Sequence, residues 1–214
     1  MVRTAQQYKD LSIKEFTKAA ARYEADHAGI YEVCKDDYPP ILAELEKQPF
    51  TDLLDAGCGT APMISLLAEK WPDRHYVGLD LTPAMIDVAQ AKNIPCAEFV
   101  VGDCENLPFQ LESFDVVICS QSFHHYPNPQ DFFNSVNKVL RPGGKLVLRD
   151  WTVSGFKQKF VNGVYLKLAN ITGHGDVGAY STREISEMVD RAGLMVEVMQ
   201  VSGLHLHCVV RKPA

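Results

Sequence analysis

The run Leu53-Leu54-Asp55-Ala56-Gly57-Cys58-Gly59-Thr60 constrains this chain more than any other stretch. An apolar run ending on two glycines, one residue apart, reads as a buried strand that turns sharply. Pro62 follows at once and suits the first turn of a helix. Glycines in such a turn let the backbone bend and approach a ligand without a Cβ clash. The helix start beyond it offers free N–H groups to polar or anionic ligand atoms. Strand, glycine turn and helix in that order imply an α/β layout in which the turn is a binding element.

The rest of the chain repeats the alternation. Residues 51–56, 76–79, 97–101, 114–119 and 145–148 read as strands, with 62–70, 83–91 and 131–140 as helices between them. The strands are apolar at consecutive positions, as in Val116-Val117-Ile118, so they belong to a mainly parallel sheet covered on both faces. Arg141-Pro142-Gly143-Gly144 reads as a stop before the fifth strand. The end differs: a helix over 182–192, capped by Ser181 or Thr182 and stopped by Gly193, precedes strands 194–201 and 204–211. A two-residue turn at Ser202-Gly203 makes those strands antiparallel.

At the start, residues 3–29 read as a helix with Phe16, Ala19, Ala20 and Tyr23 on one face, and Gly29 as its end or kink. Tyr38–Lys47 reads as a second helix with Pro39 and Pro40 in its first turn. Between the fifth strand and the last helix, 156–170 reads as helical. Residues 171–180 read as a glycine-rich loop around His174 and Asp176. The segment is either an acceptor-site insertion or a connector. The chain is thus expected to be one domain: a helical cap (1–49), a core (50–150), the insertion (151–181), and a helix with a terminal hairpin (182–214).

With 214 residues, 46% of them hydrophobic, the chain can bury a full core without staples. A formal charge of -6 provides no general attraction to nucleic acid or anionic membrane, and no dense Lys/Arg run appears. The six cysteines form no C-x-x-C pair and are expected to be reduced, in a cytoplasmic protein. No signal peptide and no membrane span are read.

Two further acidic positions fit the pattern. Asp80 ends the second strand, about 20 residues beyond the glycine turn, where a carboxylate can accept hydrogen bonds from both hydroxyls of a ribose. Asp103, in Gly102-Asp103-Cys104 after the third strand, can read the amino edge of adenine. Taken with LLDAGCGT at 53–60, VGLDLTPAMIDVAQ at 77–90, VVGDCENLPFQLESFDVVICSQSFHHYPNP at 100–129 and LRPGGKLVLRD at 140–150, the chain resembles class I S-adenosylmethionine-dependent methyltransferases. The branch it resembles includes quinone-biosynthesis and small-molecule enzymes. The resemblance is tight over residues 50–150 and looser toward the terminal hairpin.

The resemblance implies a Rossmann-like fold, with a seven-stranded sheet whose last strand is antiparallel. It implies S-adenosylmethionine as cofactor and S-adenosylhomocysteine as product. Asp55, Ala56, Gly57, Cys58 and Gly59 would form the turn around the methionine part. Asp80 would bind the ribose, Leu81 flank the adenine, and Met85 pack nearby. Asp103 would take the adenine amino group beside the Cys104 backbone. Ser120 would lie near the transferred methyl, and Tyr23 would close over the site. Many relatives carry a third glycine where this chain has Ala61, which implies less backbone freedom there.

Two rivals stand beside this reading. An NAD-dependent oxidoreductase shares the turn and the ribose carboxylate, but Pro62 stands where its third glycine belongs. A non-catalytic domain of the same fold is the other. His124 and His125 are the candidate proton acceptors, with structural packing as their alternative role. His205 and His207 share a strand face that reads as solvated or partner-facing. No metal-ligand cluster is read. The expected reaction is in-line SN2 transfer to a small-molecule acceptor. The expected acceptor pocket is formed by the N-terminal helix, residues 120–126 and residues 156–180. Its aromatics would be Tyr8, Phe16, Tyr23, Phe123, Tyr126, Phe156, Tyr165 and Tyr180. No nucleic-acid partner is expected, and the chain is read as a monomer or homodimer.

Overall fold

Seven strands make one sheet: β1 (Asp52–Ala56), β2 (His75–Asp80), β3 (Ala97–Val101), β4 (Phe114–Ser120), β5 (Leu140–Trp151), β6 (Met195–Ser202) and β7 (His205–Arg211). The structure is a computed structural model that describes residues 3–24 and 34–214. The strand order is β3-β2-β1-β4-β5-β7-β6. β1 through β5 pair in parallel, while β7 runs antiparallel to both β5 and β6. This is the Rossmann-like mixed sheet that the sequence implied. The chain leaves β1 toward β2 and β3, then returns to place β4 on the other side of β1. The order reverses at β1, and that is where an open α/β sheet forms its ligand crevice.

Consecutive apolar residues in the strands have a simple cause. Leu53, Tyr76, Val116, Ile118 and Val147 face one helical layer, packed with Ile41, Ile64, Leu67 and Ile86. Their neighbours Leu54, Val77, Val117, Cys119 and Leu148 face the other, packed with Phe132, Val136, Ile185 and Val189. Side chains alternate along a strand, so a sheet covered twice needs apolar residues at every position. The first layer comprises α2 (Tyr38–Leu45), α3 (Pro62–Lys70) and α4 (Pro83–Ala91). The second comprises α5 (Pro129–Val139) and, after α6 (Gly155–Phe160) and α7 (Leu166–Ile171), helix α8 (Thr182–Arg191). The Ser181–Glu184 capping box starts α8, and Gly193, at φ +73°, follows its end.

Three boundaries differ from the sequence reading. Helix α1 (Ala5–Ala19) is capped by Thr4 and passes into a single 3-10 turn, Ala20–Arg22. The expected helix at 25–29, with Gly29, lies outside the described residues. The Arg141–Gly144 segment is part of β5 rather than a stop before it. Gly143 takes φ +77° and donates to the Lys212 carbonyl (3.0 Å), and the Lys212 amide donates to Gly144 (2.9 Å). In the hairpin, Ser202 pairs with His205, so the turn residues are Gly203-Leu204, one step later than expected. Gly203 sits at φ +62°, a conformation glycine adopts at no steric cost and serine does not.

α2 is tied to the sheet by a buried ion pair. Lys145 of β5, 1% exposed, donates to the Glu44 backbone carbonyl (2.6 Å) and to its carboxylate (3.3 Å). Burial pushes the Lys145 pKa down, and Glu44 opposes that. Removing one partner strands a buried charge. Glu44→Ala is therefore expected to lower unfolding free energy by about 3 kcal/mol in urea titration. The double variant Glu44→Leu/Lys145→Met should lose less, because no charge is left unpaired.

Candidate active site

Asp55, Asp80, Asp103 and Ser120 all sit at or just past the carboxyl ends of β1 to β4. They line two adjoining hollows that share Phe16, Gly57, Asp80, Ser122 and His125, and so form one continuous cleft. One end holds Asp55, Gly59, Tyr23, Met85 and Ser120; the other holds Leu81, Asp103, Cys104 and Lys9. Of the residues expected to hold a cofactor, only Ala56 lines neither part. It is fully buried beneath the cleft, and its carbonyl accepts from Tyr126 Oη (3.4 Å).

The glycine turn is stitched to β2. The Gly57 and Cys58 amides both donate to the Leu79 carbonyl (2.8 and 3.0 Å), and the Gly59 amide donates to Asp80 Oδ2 (3.0 Å). Gly57 has φ +84°, and a Cβ there would stand 2.1 Å from Ser122 Oγ. No other residue fits. Ala61 also occupies the left-handed region, at φ +61°. That conformation costs an L-residue roughly 1–2 kcal/mol. Its methyl is fully buried in the core, which offsets about 0.8 kcal/mol. The position where the resemblance implied a glycine is therefore a strained one.

The three carboxylates have different surroundings. Asp55 is 4% exposed; burial, and then the nearby charge of Asp80, push its pKa up to about 7. Asp80 accepts from Gly59 on one oxygen and from the Thr82 amide (2.8 Å) on the other, and burial raises its pKa despite these bonds. Asp103 caps the short turn Cys104–Asn106 through the Glu105 amide (2.9 Å), and its other oxygen pairs with Lys9 of α1 (2.6 Å). Lys9 also pairs with Glu105. Carboxylates spaced along one cleft provide acceptors for an amine, a ribose and an adenine amino group, so the residues present fit an adenosyl cofactor.

α1 and the turn after it cover the cleft. Phe16 meets His125 edge-on, with ring centres 5.2 Å apart. Glu24, just past Tyr23, accepts from Thr60 Oγ1 (2.5 Å) and from Lys92 (2.6 Å). Sequence reasoning missed Lys9 and Asp37. Asp37, 1% exposed, accepts from Ser120 Oγ (3.0 Å) and Gln121 Nε2 (2.9 Å) and pairs with Arg149 (2.8 Å). It therefore fixes Ser120 at the cleft floor. Lys9 and Asp37 belong to segments that pack onto the core from far away in sequence, and no local motif marks them.

The histidines divide their roles. His125 lines the cleft; His124 does not. His124 Nδ1 lies 2.8 Å from Asp150, whose other oxygen accepts from the His124 amide (3.1 Å). Burial works against the His124 charge, but Asp150 holds its pKa above the usual imidazole value. Burial, reinforced by the His124 charge, pushes His125 down to about 4. Asp176 Oδ1 stands 3.4 Å from both His124 Nε2 and His125 Nδ1. Contrary to the sequence reading, the described residues thus contain one group with metal-ligand chemistry: His124, His125 and Asp176, with ligand atoms within 4.8 Å of one another. As they stand, His124 is bonded to Asp150, and His125 Nδ1 is buried without a hydrogen-bond partner. Not all the expected pocket aromatics reach the cleft. Phe16, Tyr23 and Tyr126 line it. Phe123 lies in the core against Tyr126, Phe132, Phe133 and Tyr180. Tyr8 is not among the lining residues, and Phe156 and Tyr165 are 84% and 58% exposed.

The sheet and its carboxylate-lined cleft define a Rossmann-like domain built for an adenosyl cofactor. Residues 54–148 match the family profile described as "Methyltransferase domain". Over that stretch, under half of its length, the chain is similar to methyltransferase domains. It is 46% identical over 99 residues to a phthiotriol/phenolphthiotriol dimycocerosates methyltransferase from Mycobacterium leprae, covering 46% of this chain and 37% of that protein. It is 35% identical over 137 residues to a malonyl-[acyl-carrier protein] O-methyltransferase from Herminiimonas arsenicoxydans, covering 64% of this chain and 50% of that protein. The chain thus spans between about a third and a half of these relatives' length. The fold matches that of Burkholderia thailandensis 1,6-didemethyltoxoflavin-N1-methyltransferase, solved with bound 1,6-didemethyltoxoflavin and S-adenosylhomocysteine. The TM-score is 0.71 at 18% identity, with 100% of this chain and 92% of that chain covered.

Asp55 makes stability depend on pH. Its folded pKa of about 7 exceeds the unfolded value of about 3.9, so the folded state binds the extra proton. The contribution is complete below about pH 4 and is lost as pH rises to about 7, by up to about 4 kcal/mol. Asp55→Asn is expected to match the parent near pH 4 and exceed it in stability at pH 8, by urea titration without cofactor.

Proposed function

We propose that this chain transfers the methyl group of S-adenosylmethionine to a small-molecule acceptor. The observation that carries the reading is the line of three carboxylates, from three successive strand ends, along one covered cleft. When bound, the cofactor supplies an electrophilic sulfonium methyl. Asp103 would accept from the adenine amino group, with Leu81 and Cys104 beside it. Asp80 would accept from the ribose hydroxyls. Asp55 and the Gly57–Gly59 turn would hold the methionine end, with Met85 packing nearby. Tyr23 and Phe16 would close the cleft and exclude water. Ser120, fixed by Asp37, would lie near the transferred methyl.

Holding acceptor and donor in line supplies much of the acceleration. His125 is the histidine that faces the cleft, so it is assigned to receive the proton of an acceptor hydroxyl. Asp150, through His124, positions it. The Herminiimonas relative is named for O-methylation, which supports oxygen as the accepting atom. The acceptor would enter between α1, residues 120–126 and the 151–181 segment, which we assign as the acceptor-site insertion. Among the described residues no helix is long and apolar enough to cross a membrane, and all six cysteines are free. The free cysteines support a reducing, cytoplasmic compartment.

Asp80→Ala is expected to weaken S-adenosylhomocysteine binding by about 1–3 kcal/mol in calorimetry. Unchanged affinity would remove the ribose assignment. With an acceptor identified from labelled methyl donor, His125→Ala should lower kcat by about 100-fold or more while cofactor affinity stays near that of the parent. Near-normal turnover in that variant would remove the proton-acceptor role.

A further inference from the structure

The segment made of α6, a five-residue π turn (Val161–Tyr165) and α7 is built inside out. Its side-chain amides face the protein. Gln158 Nε2 and Asn162 Nδ2 donate to the Ala179 carbonyl (3.1 and 3.0 Å), and Asn170, 2% exposed, donates to the His174 and Asp176 carbonyls (3.0 and 2.7 Å). Leu166 is buried, but most other large apolar residues face outward: Phe156 is 84% exposed, Phe160 56%, Val164 47%, Tyr165 58%, Leu168 59% and Ile171 74%.

Phe156, Phe160, Val164, Leu168 and Ile171 recur at steps of four, four, four and three residues. In an α-helix, steps of four residues drift by about 40° each, so three such steps would spiral the apolar residues around the axis. The wider i→i+5 turn at Val161–Tyr165 rotates less per residue and takes that drift back. The stripe is therefore straight, and it lies on the solvent side. Helices of a monomeric soluble domain bury such a stripe; this one presents it.

Charge says what it faces. Lys157, Lys159 and Lys167 are exposed beside the stripe, and the sequence from Gly155 to Gly175 contains no Asp or Glu. The chain as a whole carries -6. A straight apolar stripe flanked by lysines, on a protein otherwise acidic, has the chemistry of an interfacial helix on anionic lipid. We propose that residues 155–171 seat this protein on the surface of an anionic lipid membrane. Phe156, Phe160, Val164, Leu168 and Ile171 enter the headgroup boundary, and the lysines contact the lipid phosphates. The inner face holds the loop that carries Asp176 against His124 and His125, so the seat adjoins the cleft.

The test is co-sedimentation of the full chain with phosphatidylcholine vesicles, with and without 30% phosphatidylglycerol. At least tenfold more protein should pellet with the anionic vesicles, and 0.5 M salt should weaken that binding. Phe156→Ser/Phe160→Ser should abolish it. Both side chains are exposed, so S-adenosylhomocysteine calorimetry on the double variant should match the parent. This control also separates failure of the membrane seat from failure of the methyltransferase reading. No pelleting with anionic vesicles, or equal pelleting of the double variant, overturns the proposal. A dimer in light scattering that the double variant dissolves, without vesicle binding, overturns it in favour of a second copy.

Discussion

The hydrogen bonds that carry the end of β1 across to β2 are the constraint on which the rest depends. Two successive amides of the glycine turn converge on one carbonyl, Leu79, and the next reaches the Asp80 carboxylate. The turn therefore cannot move without β2, and the carboxylate cannot move without the turn. Gly57 must be glycine because Ser122 leaves no room, and Ser122 in turn holds Tyr126 (2.8 Å). The segment after β4 is thus in register with the turn after β1. A cleft formed this way is organised by backbone geometry before any ligand arrives, which keeps reorganisation on binding small.

Such a cleft concentrates negative charge where water is scarce. Burial and then the charge of Asp80 raise Asp55's cost of ionisation, and nothing in the described structure gives Asp55 a cationic partner. At the other end of the cleft the cost is relieved by Lys9, which reaches over from α1 to Asp103 and Glu105. The asymmetry leaves the Asp55 end of the cleft without a compensating cation, while the Asp103 end is already balanced. It also makes α1 part of the site's electrostatics, not only its cover.

What could be read from the chain follows from the range of the forces involved. The β1–α3 turn, the helix starts at Pro62 and Pro83 and the cap of α8 depend on neighbouring residues, and they fall where the sequence put them. The hairpin was displaced by one residue because Gly203, not Ser202, suits the first turn position. The glycines at 143–144 read as a break, but pairing with Lys212 keeps them in the sheet. Asp37 and Lys9 were invisible, since they act on Ser120 and Asp103 across 83 and 94 residues. Helix 155–171 shows the same limit differently. Residues 156–170 read as helical, but only the polar contacts of Gln158, Asn162 and Asn170 decide which side points outward.

The position of β7 has a consequence for how the chain assembles. β6 comes first in the chain, yet β7 lies between β5 and β6. Until β7 arrives, β6 has no neighbour to pair with, and β5 offers an open edge of largely buried residues. On a ribosome, that edge waits through the synthesis of some fifty residues from 152 to 204. An unpaired apolar edge is a template for other chains. Closure of this sheet is therefore a late, non-local event, and the interval before it is the chain's most vulnerable moment.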